Sequence, residues 1–474
     1  MRRLAPIAVA VSALAVAGGA QAAGPGCHPG WPVTAYRAAP GGVRTAHGSP
    51  RPVACGIQTG YPTSETTLAL TRQGAILFSP AGSENTLARS TDRGLRWRLV
   101  GPTQLQYTSL WNTVDPQVVV DPRTGRAFWI HTTYTEDLRW PLPDQSPASW
   151  LVPTAVANAH GFEVYRSADG GRSWETADYS TANTADWEKL FVGPPRPPRS
   201  GAPRPTGYPD VVYLCANSPL EVTGPGRACY RSLDGGRTFI SLGYLTPSAS
   251  SPTGCPPLAA NTGVVTPDGD VYIPQSCTQG TYVAVSKDEG GSFSWLPVPG
   301  APATNGLGAT VQLAADRAGH LYMAWLTQDQ LELVSSRDGG RTWSPPLAVS
   351  PPGVHAITLP AFAAGPPGAV GLVYYATPDA SAKQLSGYVS TTTNALAPQP
   401  LFYAGAVNPP AHPIFENYSD SDTPRADFIG AAYDGTGQLW GGLVKQFGPP
   451  DSSGRIATTG YLARLVLTRP TTRR

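Results

Sequence analysis

The chain has 474 residues and a formal net charge of +2, and only 14% of its residues are charged. That balance leaves no electrostatic footprint for a nucleic acid or an anionic membrane surface as partner. Glycine and proline number 52 and 51, enough for a turn-rich fold but short of a disordered composition, and 41% hydrophobic residues supply a core.

The N-terminus reads as an export signal. Arg2 and Arg3, the apolar run from Leu4 to Ala17 and the small residues Ala20-Gln21-Ala22 predict a signal peptide over 1–22 and a secreted, extracellular product. The run is too short to span a bilayer, and no later stretch is long enough. Residues 23–54, rich in Gly, Pro and Ala, read as a lead-in to one repeat domain over 55–474. All six cysteines follow the cleavage site, and an even number in an exported chain predicts disulfides. The sequential pairing Cys27–Cys55, Cys215–Cys229 and Cys255–Cys277 is favoured because each later pair flanks a single hairpin or strand unit. The spacings match no zinc site, and neither a metal nor a cofactor is expected.

Short β-rich runs then follow one another with turn residues between them. Thr67-Leu68-Ala69-Leu70 and Ala75-Ile76-Leu77-Phe78 open the series. Gln117–Val120 and Ala127–Ile130 flank the turn Asp121-Pro122-Arg123-Thr124-Gly125. Gly263–Val265 and Val271–Ile273 flank Pro267-Asp268-Gly269-Asp270, and Val311–Ala314 and Leu321–Trp325 flank Arg317-Ala318-Gly319. These alternations are strand signals, and no amphipathic helix follows the signal peptide.

Five segments share the spacing Ser-x-Asp-x-Gly-x-x-Trp/Phe: Ser90–Trp97, Ser167–Trp174, Ser232–Phe239, Ser286–Phe293 and Ser336–Trp343. Each follows a β-rich run such as Glu163-Val164-Tyr165 and closes a hairpin. Asp92, Asp169, Asp234, Asp288 and Asp338 are suited to accept backbone N–H groups a few residues on. The glycine supplies positive φ, and the aromatic side chain folds back as an apolar plug between sheets. A degenerate sixth copy, Ser390-Thr391-Thr392-Thr393-Asn394, keeps the Ser but not the Asp, Gly or aromatic.

Such recurrence marks a repeat architecture. The pattern resembles the Asp-box (BNR) repeat of the sialidase-like β-propellers, from about Thr67 to Leu467. The resemblance implies an all-β propeller of four-stranded antiparallel blades, with the boxes as structural turns between strands three and four. First strands beginning near Thr66, Asp115, Asp186, Ala260, Ala309, Leu359 and Asp427 make seven blades, with six, the sialidase number, as the alternative. A strand within 50–62 completes the last blade and removes the exposed edges.

In such a fold the boxes lie on the face away from the active site. The opposite face draws on three connections: Gly101–Asp115, Thr132–His160 and Asn408–Asp427. It also draws on strand openings that carry Asp115, Asp186, Glu188, Lys189 and Asp427. A sialidase-type hydrolase would use Tyr418 as nucleophile with Glu416 beside it, and Asp115 as the acid. Arg139 and Arg425 would clamp a sugar carboxylate, with Trp111, Trp140 and Asp186 as further substrate contacts on a glycan or glycoprotein. The chain departs from the family in offering no arginine at the strand openings around Asn261 and Asn305. Arg172, Arg237 and Arg341 sit inside boxes, and Arg51-Pro52 lacks the family's Arg-x-Pro spacing. A non-catalytic propeller that binds a carbohydrate or a protein is the alternative. Asp420-Ser421-Asp422 reads as a solvated acidic turn.

Overall fold

The computed structural model describes residues 27–28, 33–46, 52–63, 65–81, 87–101, 111–112, 116–134, 159–175, 186–197, 204–218, 226–246, 248–255, 262–303, 311–327, 330–409, 411–416, 428–449, 452 and 456–467. Among them there is no helix, and the strands pair antiparallel throughout.

The N-terminal strands are β1 (Cys27–His28), β2 (Val33–Ala39), β3 (Gly42–Ala46) and β4 (Pro52–Pro62). A four-stranded meander follows: β5 (Glu65–Leu70), β6 (Ile76–Ala81), β7 (Ala88–Ser90) and β8 (Arg98–Leu99). In the next sheet β9 (Trp111–Asn112) and β10 (Gln117–Val120) lie along one edge of β11 (Ala127–Tyr134), and β12 (Ala159–Ser167) along the other. Two more meanders are β13 (Asp186–Gly193), β14 (Val211–Ser218), β15 (Gly226–Ser232) and β16 (Ile240–Thr246), then β17 (Val264–Val265), β18 (Val271–Cys277), β19 (Gly280–Ser286) and β20 (Ser294–Pro297). The next pair comprises β21 (Val311–Ala315), β22 (Leu321–Thr327), β23 (Gln330–Ser336) and β24 (Leu347–Ala348), then β25 (His355–Ala364), β26 (Val370–Thr377), β27 (Ser386–Thr392) and β28 (Leu401–Ala406). In the last sheet β29 (Gly430–Tyr433), β30 (Leu439–Gln446) and β31 (Thr458–Leu467) are joined by β4, with β1 outside it.

The packing between these sheets follows chain order and returns on itself. Among the described residues the apolar core divides into seven clusters, each filling the interval between one sheet and the next. The cluster of Leu68, Ile76, Phe78, Trp440 and Leu462 joins the last sheet to the first meander. The opening strands touch in the same succession: β5 on β10, then β13, β17, β21, β25, β29, and β29 back on β5. Side chains on these strands reach the next backbone. Thr67 accepts from Val118 N–H at 3.2 Å, Gln117 from Leu190 N–H at 2.6 Å, and Gln312 from Phe362 N–H at 2.8 Å. Because sheets cover both faces, second strands such as Val370–Thr377 are buried along their whole length. Glycines permit the closest approaches. A Cβ on Gly371 would stand 2.2 Å from Leu439, and one on Gly441 would stand 2.7 Å from Val373, so β26 and β30 fit only without those side chains.

The described strands within 23–54 do more than lead in. The β2–β3 hairpin pairs with β28 through Val33–Arg37 and with β24 through Ala39, fusing two meanders into one ten-stranded sheet. Cys27 lies opposite Cys55 in the β1–β4 register, and Cys55 is disulfide-bonded. Cys215–Cys229 joins β14 to β15, and Cys255–Cys277 ties the segment before β17 to the end of β18.

Candidate functional site

The two ends of the sheets differ, and the turns define the first. In the second box Ser167 Oγ donates to Asp169 (2.8 Å) and accepts from Gly171 N–H (2.8 Å), while Asp169 accepts the N–H groups of Arg172 and Ser173. The other four boxes repeat this lattice around Asp92, Asp234, Asp288 and Asp338. The degenerate copy is shifted from the expected register. Thr392 takes the place of Ser and Asn394 that of Asp, with Asn394 accepting from Thr392 Oγ1 (2.7 Å) and Leu401 N–H (3.0 Å). Ser390 instead bonds the Tyr374 hydroxyl.

Each of the first three boxes is also tied to its successor. Arg89, Arg166 and Arg231, each directly before a box serine, donate to Gly170 O (2.8 Å), Gly236 O (3.0 Å) and Glu289 O (2.8 Å) of the next box. This Arg-Ser-x-Asp recurrence is visible in the sequence once the register is known. The turns between first and second strands share the same end, with Gly125, Gly269, Gly319 and Gly437 N–H bonded three or four residues back. Here Asp210 is pushed up to about 6 by burial, with Arg123 opposing and the neighbouring Asp121 adding to the rise. Both carboxylates are satisfied by Arg123, Thr124 and Tyr208, as a joint between two sheets requires. A perturbed carboxylate here is structural.

Box carboxylates hold their charge well. Burial alone would raise Asp169, but the N–H and hydroxyl of Ser173, then Ser167, keep it far below the usual carboxylate range. Hydrogen bonds from Thr342 likewise lower Asp338 to about 2. A depressed folded-state pKa adds stability that is present above the unfolded value and lost as pH falls through the folded one. The boxes therefore loosen between about pH 4 and pH 2. Replacing Asp169 by Ala should cost about 1–2 kcal/mol in urea unfolding at pH 7 and much less at pH 2. An undiminished cost at pH 2 would rule out the charge as its source.

The opposite end gathers several of the expected site residues. Trp111 pairs with Tyr134 where β9 extends the row of β10, at the end of β11 remote from the Asp121 turn. Asp186 opens β13 opposite Asn217, at the same end. Glu416 is exposed, and its backbone N–H is held by Gln446 Oε1 (3.1 Å) at the far end of β30. The adjoining Phe415 is buried, bridged to Leu385 and edge-on to Tyr375 at 5.8 Å. Asp115, Tyr418, Arg139, Arg425, Trp140, Asp427, Asp420 and Asp422 lie outside the described residues. The connection expected over Thr132–His160 is trimmed at both ends, because β11 runs to Tyr134 and β12 starts at Ala159. The strand expected near Leu359 begins at His355, with positive φ at Ala356 and Leu359 where its pairing with β26 slips.

At this end the structure adds surroundings that the sequence does not assign to Lys189, which it places only at a strand opening. β13 is irregular between Asp186 and Lys189, and Trp187 sits at φ 54°, a costly conformation for a bulky side chain. The irregularity brings Trp187 edge-on to Phe428, with ring centroids 6.2 Å apart. Phe428 lies two residues before the start of β29, so the contact links two sheets that are not neighbours in the succession. The Lys189 ammonium lies 4.3 Å from the Phe428 centroid and 5.2 Å from that of Trp187. Lys189 is only 7% exposed and makes no hydrogen bond or ion pair with a described residue. Among the described residues no arginine lies on any of the seven opening strands, and no cluster of His, Cys, Asp or Glu could hold a metal.

No protein-family model and no curated protein matches the chain. Among solved structures it is similar to a point mutant of the NanB sialidase of Streptococcus pneumoniae, at 12% identity and a TM-score of 0.42, covering 86% of this chain and 70% of that one. It is similar to the intramolecular trans-sialidase of Ruminococcus gnavus in complex with oseltamivir carboxylate, at 13% identity and a TM-score of 0.39, over 85% of this chain and 96% of that one. An ancestral GH74 enzyme is similar at 13% identity and a TM-score of 0.41, over 85% and 46% of the two chains.

Proposed function

We propose that the chain is an exported Asp-box propeller of seven blades that takes a glycan or glycoprotein at the mouth opposite its Asp turns. The seven interlocking core clusters, the circular succession of opening strands and the completion of the last sheet by β4 support the closed architecture. The observation that carries the functional reading is the division of the two ends. One is filled by satisfied turns laced from box to box. The other collects Trp111, Asp186, Glu416 and a buried lysine between aromatic rings.

In the hydrolytic reading Glu416 abstracts the Tyr418 proton and the phenolate attacks the anomeric carbon. Asp115 protonates the leaving oxygen, and Arg139 and Arg425 bind a sugar carboxylate. Trp111, Trp140 and Asp186 hold the rest of the glycan. The lack of any arginine on the described opening strands favours a second reading, in which the same mouth binds a glycan without turning it over.

Assay of the purified secreted protein on a fluorogenic sialoside and a panel of neutral glycosides separates the two. Sialoside turnover that Tyr418→Phe removes and Asp169→Ala spares supports hydrolysis. Absence of turnover, with glycan-array binding lost in Trp140→Ala, supports the binding reading. Neither turnover nor glycan binding would overturn both.

A further inference from the structure

We infer that Lys189 is an anion-recognition group at the centre of this mouth, selecting a ligand that carries a carboxylate or sulfate. The inference rests on the reading that ligands enter at the end opposite the Asp turns. Three observations carry it. Lys189 is 93% removed from solvent, yet no described carboxylate pairs with it and its described partners are aromatic faces alone. A lysine so enclosed costs stability unless a counter-charge arrives, because two cation–π contacts offset only part of the lost hydration. Its ammonium is nonetheless absent from the orphaned polar atoms that are wholly sealed from solvent.

The backbone around it is strained. The irregularity in β13 and the left-handed φ of Trp187 hold the lysine toward Phe428 rather than leaving it in regular strand register. Such outliers persist where the surroundings impose them, and bulges re-aim side chains beside binding sites. The neighbouring Glu188 is fully buried. An ammonium is a compact point charge with three rotatable donors, so it accepts a carboxylate or a sulfate without the planar match an arginine demands. The flanking rings supply apolar faces for the adjacent sugar carbons.

Calorimetric titration of the full secreted chain with glucuronate, N-acetylneuraminate, sodium sulfate and glucose tests this. Binding of at least one anion, weakened about tenfold or more in Lys189→Met and kept in Lys189→Arg, is the expected result. The Met variant should melt at the same temperature as the wild type or higher, since the uncompensated charge is gone. The arms separate carboxylate from sulfate recognition. A Met variant that binds anions as the wild type does, or that melts several degrees lower, would make Lys189 a structural prop. Should the variant fail to fold, reductive methylation of the native chain replaces it. The inference requires slow labelling of Lys189 that the bound anion slows further, and a rate untouched by every anion defeats it. A neutral glycan bound at the mouth with no anion bound would remove this inference and leave the proposed mouth standing.

Discussion

Replacing Tyr36 by Ala should lower the stability of the chain by about 3–5 kcal/mol, one of the two largest losses expected from a single substitution. Tyr36 stands on β2 with none of its surface exposed, and its hydroxyl donates to Val349 O at 2.7 Å. Its ring stacks on Phe402, its partner in register on β28, with centroids 5.8 Å apart. The residue therefore touches both meanders that the hairpin fuses. Truncation opens a large cavity between them and leaves a buried carbonyl without its donor, each a recognised source of large destabilisation. Tyr36→Phe removes only the hydrogen bond and should cost about 1 kcal/mol. Urea unfolding of the two variants measures both effects. If Tyr36→Ala unfolds within about 0.5 kcal/mol of the wild type, the hairpin is an ornament on the sheet edge rather than its joint.

Asp316→Ala should cost a similar amount, about 3–5 kcal/mol at pH 7, for an electrostatic reason. The carboxylate is only 3% exposed and gathers the N–H of Ala318 (2.9 Å), the Tyr322 hydroxyl (2.8 Å), His320 Nδ1 (2.9 Å) and, from the following meander, Gly368 N–H (2.8 Å). Alanine leaves the Tyr322 hydroxyl and the Gly368 N–H buried without an acceptor. Burial by itself would raise the Asp316 pKa, but the Gly368 N–H, His320 and Tyr322 together hold it below the usual value. Because the folded value is depressed, the stabilisation is complete above the unfolded pKa of about 3.9 and drains away as pH falls below it. The difference between wild type and variant should thus be large at pH 7 and shrink below about pH 4. A gap independent of pH would mean that packing, not charge, sets the cost.

Much of the fold is legible because its signals are local. Alternation along strands such as Val271–Cys277, and the Ser, Asp and Gly of each box, act within a few residues of chain, where spacing alone implies geometry. The shifted sixth copy shows the limit of that logic. Thr392 and Asn394 reproduce the hydrogen bonds with other side chains, so a pattern written in residue names lands two positions early. The box-to-box arginines, and Thr67, Gln117 and Gln312 between opening strands, escaped notice because each acts on a backbone at least 48 residues away.

The sequence by itself determined the class of structure, the repeating turn and the end at which that turn would gather. It also nominated the acidic and aromatic loops of the other end as carriers of chemistry. Only the tertiary structure decided that the β2–β3 hairpin clamps two sheets together, and that a lysine on β13 meets a phenylalanine just before β29. The physical reason is one of range. Turn chemistry and strand alternation are properties of a few neighbouring residues, whereas a buried charge acquires its surroundings only when sheets distant in the chain close around it.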